Sequence, residues 1–562
     1  MDRILTLTPE LAYRAICPST AFWDYREYSM GEPEDAQLPW DLSPLNPQSR
    51  IDSLSPVRTP TWRIDGCTSL GTQFFAVPTS MHPLPPLRID TFLPEPAHWP
   101  ARLRLDLNFE KAFLFRDSRV VQFGISQHIL RALELWSASI PDFGRLYKEL
   151  PFGSRIMFEN MAADIRNIRI RVVRTHELER QLLSIAELSM NQSISLPETL
   201  DICQLTLVQQ FQDSASLVQI LGSAEGQPAV VFKTLSDTPK YLYHELGTLL
   251  SMPKHANIIS KPRHIITKRC KFGGKVAVVG FTIEYHRQGS LRDQLPLRRH
   301  HGALLLDDQL KWASQIVRAL QHIKSKGPGW YCDLRLDNVL LSNEDNVVVI
   351  DFEQRGVLPA FASPLDNYLQ YINALVNEPL LNATERKEYA NLYDIHIKPF
   401  VPKGKGQHRG CVPWLCMGKS ERDASELYML GRLLWCIFEG VSAPQKELWM
   451  EYLYESDIEF PEFRRTPMEL RELILSCTSS WTMVVKELHR EAFKLKIRGS
   501  NDAGLLEEEY AVAMMVKMWR GELDRAKDFL SNGRRRCEDT SGENMSDVSL
   551  TLDFILQTLQ QM

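Results

Sequence analysis

Three polar residues near the middle of the chain have the types and spacing that phosphoryl transfer requires. Asp333 stands in the run Tyr331-Cys332-Asp333-Leu334-Arg335-Leu336-Asp337-Asn338, with Asn338 five positions further on. Asp351 comes thirteen positions after Asn338 and closes the apolar run Val347-Val348-Val349-Ile350. Such a transfer needs a group to orient the acceptor hydroxyl, metal ions to neutralise phosphate oxygens, and a cation to hold the nucleotide phosphates. Carboxylates and a side-chain amide are hard oxygen ligands of the kind Mg²⁺ takes. Asn346, just before the apolar run, allows a turn, so the three residues converge on the mouth of one hairpin.

The elements around them must supply a sheet and a helical body. Residues 202–210, 217–222 and 228–234 read as three short strands, 240–251 as a helix and 276–286 as a strand pair, in the order β-β-β-α-β-β. After residue 290 the chain turns mostly helical. Leu310, Ala313, Ile316, Val317, Leu320 and Ile323 form one apolar stripe at helical spacing, ended by Gly327-Pro328. Leu427, Leu430, Leu434 and Ile437 form a second. A small sheet unit followed by a larger helical one leaves a cleft between them.

The Asp333 and Asp351 segments resemble the protein-kinase pair H-R-D-x-x-x-x-N and D-F-G, with matching spacing. By that resemblance Asp333 is the catalytic base, Arg335 stabilises the transferred group, and Asn338 and Asp351 bind Mg²⁺. Other parts fall in the family's order. Val230-Val231-Phe232-Lys233 resembles the V-A-I-K strand and makes Lys233 the ATP phosphate-binding cation. Tyr243-His244-Glu245 opens a helix whose Glu245 would pair with that lysine, and His255-Ala256-Asn257-Ile258-Ile259 resembles the H-P-N-I turn. Phe281 to Leu291 looks like the hinge, where the backbone of Glu284 and His286 would bind adenine behind Ile283. The resemblance implies an α+β, bilobal kinase-like fold over 200–490, with a β-rich lobe at 200–286 and a helical lobe at 287–490. It implies ATP and Mg²⁺ as cofactors, and a divergent protein kinase of serine/threonine type similar to kinase-domain proteins of filamentous fungi.

The chain departs from the family pattern at named places. Gln209 to Leu217, where a glycine-rich loop belongs, contains no glycine, and Asp213 adds a charge near the phosphates. Glu353 replaces the glycine of D-F-G, which reduces backbone freedom there and adds a carboxylate that ligates a metal or is merely solvated. Tyr331 and Cys332 replace His and Arg. Val412-Pro413-Trp414 stands at the A-P-E spacing, with Glu426 in place of the usual Asp, and Ser363-Pro364-Leu365 is the other candidate. These departures keep two alternatives open: a pseudokinase scaffold, and a small-molecule phosphotransferase of choline or aminoglycoside kinase type.

The 562 residues are 44% hydrophobic and 24% charged, with a net charge of -5. That charge gives no global electrostatic reason to bind nucleic acid. No apolar run is long enough for a membrane span, and ten unpatterned cysteines fit a reducing, intracellular address. The protein partner or substrate is open. Residues 1–195 form a separate region of unknown function. Its first 110 residues are proline-rich and loop-like, with Trp23, Trp40, Trp62 and Phe74-Phe75 as aromatic anchors, strands are expected over 103–124, and helices at 126–138 and 172–190. The extension 496–562 reads as helices at 503–531 and 546–560 around a basic run, Arg534 to Arg536.

Overall fold

In the computed structural model, most of residues 60–94, 124–191, 196–369, 383–396, 414–445, 456–478 and 551–562 are described, with Leu103 and Leu107. The aromatic anchors Trp62, Phe74 and Phe75 are buried, while Trp23 and Trp40 lie outside the described residues. Strand β1 (Trp62–Cys67) alternates its burial, and β2 (Gln73–Pro78) and β3 (Asp90–Phe92) are buried along their whole length. Helices α1 (Gly124–Ala138) and α2 (Phe143–Lys148) follow, then β4 (Arg155–Phe158) and β5 (Ile170–Val173). The five strands lie in the order β1-β2-β3-β4-β5, antiparallel except for β3 against β4. The loop-like reading of 60–92 therefore gives way to a sheet. Its prolines sit at strand ends and in turns, where no ladder hydrogen bond is lost. Trp62 packs against Phe143 and Tyr147, with ring centroids 5.7 and 6.1 Å away.

Two further expectations here are corrected. Leu107 N donates to Leu103 O at 3.0 Å, a helical bond where a strand was expected; the rest of 108–123 lies outside the described residues. The helix expected over 172–190 is β5 followed by α3 (His176–Gln181) and α4 (Ile185–Asn191). The break has a local cause. Ser184 and Glu187 bond reciprocally to each other's backbone N–H, at 3.2 and 2.7 Å, and that capping box starts a new helix.

The second sheet carries β6 (Glu198–Asp201), β7 (Leu205–Gln210), β8 (Ala215–Ile220), β9 (Val230–Thr234), β10 (His264–Arg269) and β11 (Val276–Glu284), with α5 (Lys240–Ser251) between β9 and β10. Its order is β6-β10-β11-β9-β8-β7, with β6 parallel to β10 and the rest antiparallel. The strand pair expected within 276–286 is one strand. Its partner is β10, which the polar end Thr267-Lys268-Arg269 hid from the pattern. Gly280 lets β11 lie close to β9: a Cβ there would meet Lys233 O at 2.3 Å and the Phe232 ring at 2.5 Å.

The helical part comprises α6 (Leu291–His300), α7 (Leu306–Lys326), the hairpin β12 (Val339–Leu341) and β13 (Val347–Val349), α8 (Ala383–His396), α9 (Lys419–Glu439), α10 (Met468–Thr478) and α11 (Leu552–Gln561). Both apolar stripes are helices, α7 ended at Gly327 and α9 at Gly440, whose φ of 71° suits glycine. A Cβ on Gly431 would meet Cys477 Cβ at 2.7 Å, so its absence lets α9 and α10 touch. α11 buries Leu552, Ile555 and Leu559 and takes a hydrogen bond from Gln321 of α7 to Asp553. The expected 503–531 helix and the Arg534 to Arg536 run lie outside the described residues.

The described residues form a mixed α+β architecture with two apolar cores. One fills the space between the second sheet, the β12–β13 hairpin and the helices. The other joins the N-terminal sheet and α1 to Val218, Val230, Phe232, Ile266, Ala277 and Val279 of the second sheet, so it runs across the boundary expected near residue 195. No helix among the described residues is long and apolar enough to cross a membrane.

Candidate active site

Lys233 points from the end of β9 into a ring of carboxylates brought by other elements. Its Nζ donates to Asp351 Oδ1 at 2.8 Å and lies 3.0 Å from Glu353 Oε1 and 3.4 Å from Glu245 Oε2. Glu245 is delivered by the buried face of α5, and its other oxygen accepts from Phe352 N at 3.1 Å. One carboxylate thus ties the helix to both the lysine and the segment after β13. The expected Lys233–Glu245 pair is present, but it is the longest of the three contacts.

Glu353 corrects the sequence reading twice. It is buried, 3% exposed, and held by Lys233 on one side and by Arg355 at 2.6 Å on the other, so it is not solvated. Nor does its position demand glycine. The left-handed residues are Asp351, with φ 65°, and Gln354, with φ 53°. Such conformations cost a non-glycine residue about 1–3 kcal/mol and concentrate at functional sites.

The electrostatics follow from burial and crowding. Burial works against the charge on Lys233, but Asp351, Glu245 and Glu353 outweigh it and raise its pKa well above the usual value. Burial pushes Glu245 up, with Lys233 pulling it back. Burial also opposes ionisation of Asp351, but the ammonium, its hydrogen bond and two arginines win and hold that carboxyl below its ordinary range.

The other arm of the hairpin carries Asp333. Asn338 Nδ2 donates to Asp333 O and to Asp333 Oδ2, both at 2.9 Å, and Arg335 sits 3.2 Å from Asp333. Asp337 pairs with the buried Arg292 of α6 at 2.8 Å. Burial pushes the Asp333 carboxyl up to about 6; Arg335 opposes the shift and Asp351 adds to it. Asp333 and Asp351 therefore share one electrostatic environment, as the hairpin reading expected. Arg335 is committed to Asp333 and Asp337. Two contacts fasten this arm: Tyr331 donates its hydroxyl to Ile350 O at 2.5 Å, and Glu426 reaches from α9 to accept from Tyr331 N at 3.3 Å. Val412 and Pro413 lie outside the described residues, while Ser363 donates to Asp366 inside a buried turn.

At the far end of β11, Ile283 is buried, and Glu284 accepts from Ser260 at 3.3 Å. Burial lowers the pKa of His286, and its Nε2 has no hydrogen-bond partner. Next to it, the Tyr285 ring stacks on Phe211 from the β7–β8 turn, 5.9 Å between centroids and 19° apart. Sequence reasoning missed this pair, which closes the glycine-free turn onto the end of β11.

For a cation the donor set is suitable but partly taken. Ligand oxygens of Glu245, Asp351 and Glu353 lie within 4.8 Å of one another, yet Lys233 already sits among them. Asp351, the most exposed of the three, gives Oδ1 to the lysine, and Asn338 gives its amide nitrogen to Asp333. Asp351 Oδ2 and Asn338 Oδ1 are hard carboxylate and amide oxygens, the ligand class that Mg²⁺ takes. No family model matches the chain, and a search of curated proteins finds no matching relative.

Proposed function

We propose that the chain is a divergent, ATP- and Mg²⁺-dependent protein kinase that transfers a phosphoryl group to a protein hydroxyl, of serine/threonine type. The observation that carries this reading is the meeting of Lys233, Glu245 and Asp351, from a strand, a helix and a hairpin mouth, beside the Asp333–Asn338 pair. A structural ion pair needs two residues, whereas phosphoryl transfer needs this set. The sheet of 198–284 followed by the helices from 291 onward is what a bilobal kinase-like fold would require, and its intervening segment holds Glu284 and His286, the proposed adenine contacts.

In this reading Asp333 accepts the hydroxyl proton, since a carboxyl with a pKa of about 6 is ionised at neutral pH and still basic enough to help. Arg335 keeps it in place and lends positive charge to the transferred group. Lys233 turns from its carboxylates to the nucleotide phosphates. Mg²⁺, held by Asp351 and Asn338, would supply charge neutralisation on the phosphate oxygens.

Glu353 favours a second reading, a pseudokinase scaffold, because it adds a third carboxylate that competes with nucleotide for Lys233. Phosphate transfer from ATP by purified protein with Mg²⁺, beside Asp351→Ala, separates the two. Transfer that disappears in the variant is the expected result. Folded protein that transfers to no acceptor, itself included, would sink the enzyme reading.

A further inference from the structure

β7 is the outermost strand of the second sheet, and an edge strand leaves backbone groups unpaired. The N-terminal region takes three of them, at Leu207, Val208 and Gln210, and one more backbone group just past the strand, at Gln212. Leu207 N donates to Leu84 O at 2.8 Å, Arg63 to Val208 O at 2.7 Å, Gln210 N to Asp65 Oδ2 at 2.8 Å, and Arg88 to Gln212 O at 2.7 Å. The third holds the last residue of β7, and the fourth reaches the turn itself. Arg88 is 3% exposed, has a φ of 57°, and pairs with Asp90 at 2.7 Å. Asp90 in turn accepts from the side chains of Gln210 and Gln73 at 2.9 and 2.8 Å. On the other side, Phe211 rests on Tyr285.

We infer that residues 60–94 are a clamp that fixes the Gln210–Ser216 turn over the nucleotide phosphates, with Arg88 and Asp65 as positioning residues. The inference rests on the phosphotransferase reading, and it names the device that regulates nucleotide affinity at that site. A glycine-rich loop adapts to phosphates because its backbone is permissive. A glycine-free turn has no such freedom, so its affinity depends on being held in the binding conformation beforehand, which removes the ordering cost of association. Anything that loosens the N-terminal sheet then weakens nucleotide binding without touching Asp333 or Asp351.

The test uses the full chain and two readouts, hydrogen exchange of the Gln210–Ser216 amides and calorimetric titration with Mg-ADP. Arg88→Ala removes the most buried contact; because it can unfold the N-terminal sheet, Asp65→Ala serves as the milder variant. Loss of a hydrogen bond to a charged group should raise exchange and weaken the Mg-ADP Kd by about tenfold each. Asp65→Asn, which keeps an acceptor for Gln210 N, should restore both. The kcat at saturating ATP should stay within about twofold. Unchanged exchange in Asp65→Ala overturns the clamp. A loosened turn with unchanged Kd overturns its role in nucleotide binding. Wild-type protein that takes up no Mg-ADP overturns the phosphotransferase reading and the ligand half of this proposal, while the exchange data still decide whether the clamp holds the turn.

Discussion

Two hairpins frame the candidate site, and they are held by different parts of the chain. β12–β13 is fastened by the sheet-and-helix body it belongs to: Asn338 bonds back to Asp333, Tyr331 to Ile350 O, Glu426 of α9 accepts from Tyr331 N, and Asn257 bonds Val347 O and Val349 N. β7–β8 is fastened from outside, by Arg63, Asp65 and Arg88 from more than a hundred residues earlier. The first carries every residue type that the proposed chemistry asks for. The second contains no glycine from Gln209 to Leu217 and is tethered from the N-terminal region. The difference suggests that side chains performing chemistry are hard to replace, whereas a backbone conformation can be supplied by a different part of the chain.

Several substitutions would break or sharpen this contrast. Asp333→Asn, beside the β12–β13 hairpin, should lower kcat by about 10²–10⁴-fold, the usual range for a general base, with the melting temperature of the protein little changed. A loss that shows only in the KM for ATP would mean that Asp333 does not do the chemistry. Lys233→Met leaves Glu245, Asp351 and Glu353 facing one another without their ammonium. Breaking a buried ionic network by removing one partner costs about 3–5 kcal/mol, measurable by urea unfolding. An unchanged midpoint would mean that water already reaches the three carboxylates.

Gly280→Ala lies in β11 beside β9, where the new methyl meets Lys233 O and the Phe232 ring. Overpacking there should cost about 1–3 kcal/mol and displace Lys233, raising the KM for ATP along with the instability. The smallest effect is on pH dependence. Asp333 must be ionised to accept a proton, and burial places its pKa at about 6. The rate should therefore climb about tenfold per pH unit below that value and level off above it. The limb should be absent from the residual activity of Asp333→Asn.

The sequence was legible where function is carried by local order. Asp333, Asn338 and Asp351 flank one short hairpin, so their convergence could be read from the eighteen positions they span. Lys233 and Glu245 were legible because a strand and the next helix must pack together. Legibility failed where the partner is remote or the signal is polar. Strand β10 ends in Thr267-Lys268-Arg269 and was overlooked in favour of a false pair inside 276–286. The three strands of 62–92 were hidden by prolines that turned out to punctuate them. Glu353 was misjudged because nothing in a linear pattern shows that an acid will be buried between Lys233 and Arg355. The tether on β7 left no trace in sequence at all, since Arg88 and Gln212 are 124 positions apart.

The apolar core that spans residue 195 has an evolutionary consequence. Phe232, Ile266, Ala277 and Val279 face the N-terminal sheet and are almost wholly buried against it. A segment of 200–490 copied alone into another gene would carry that face bare, an exposed apolar patch of the sort that drives aggregation. The segment 200–490 is thus a poor candidate for domain shuffling. It and the region before it are expected to be inherited, duplicated and lost together.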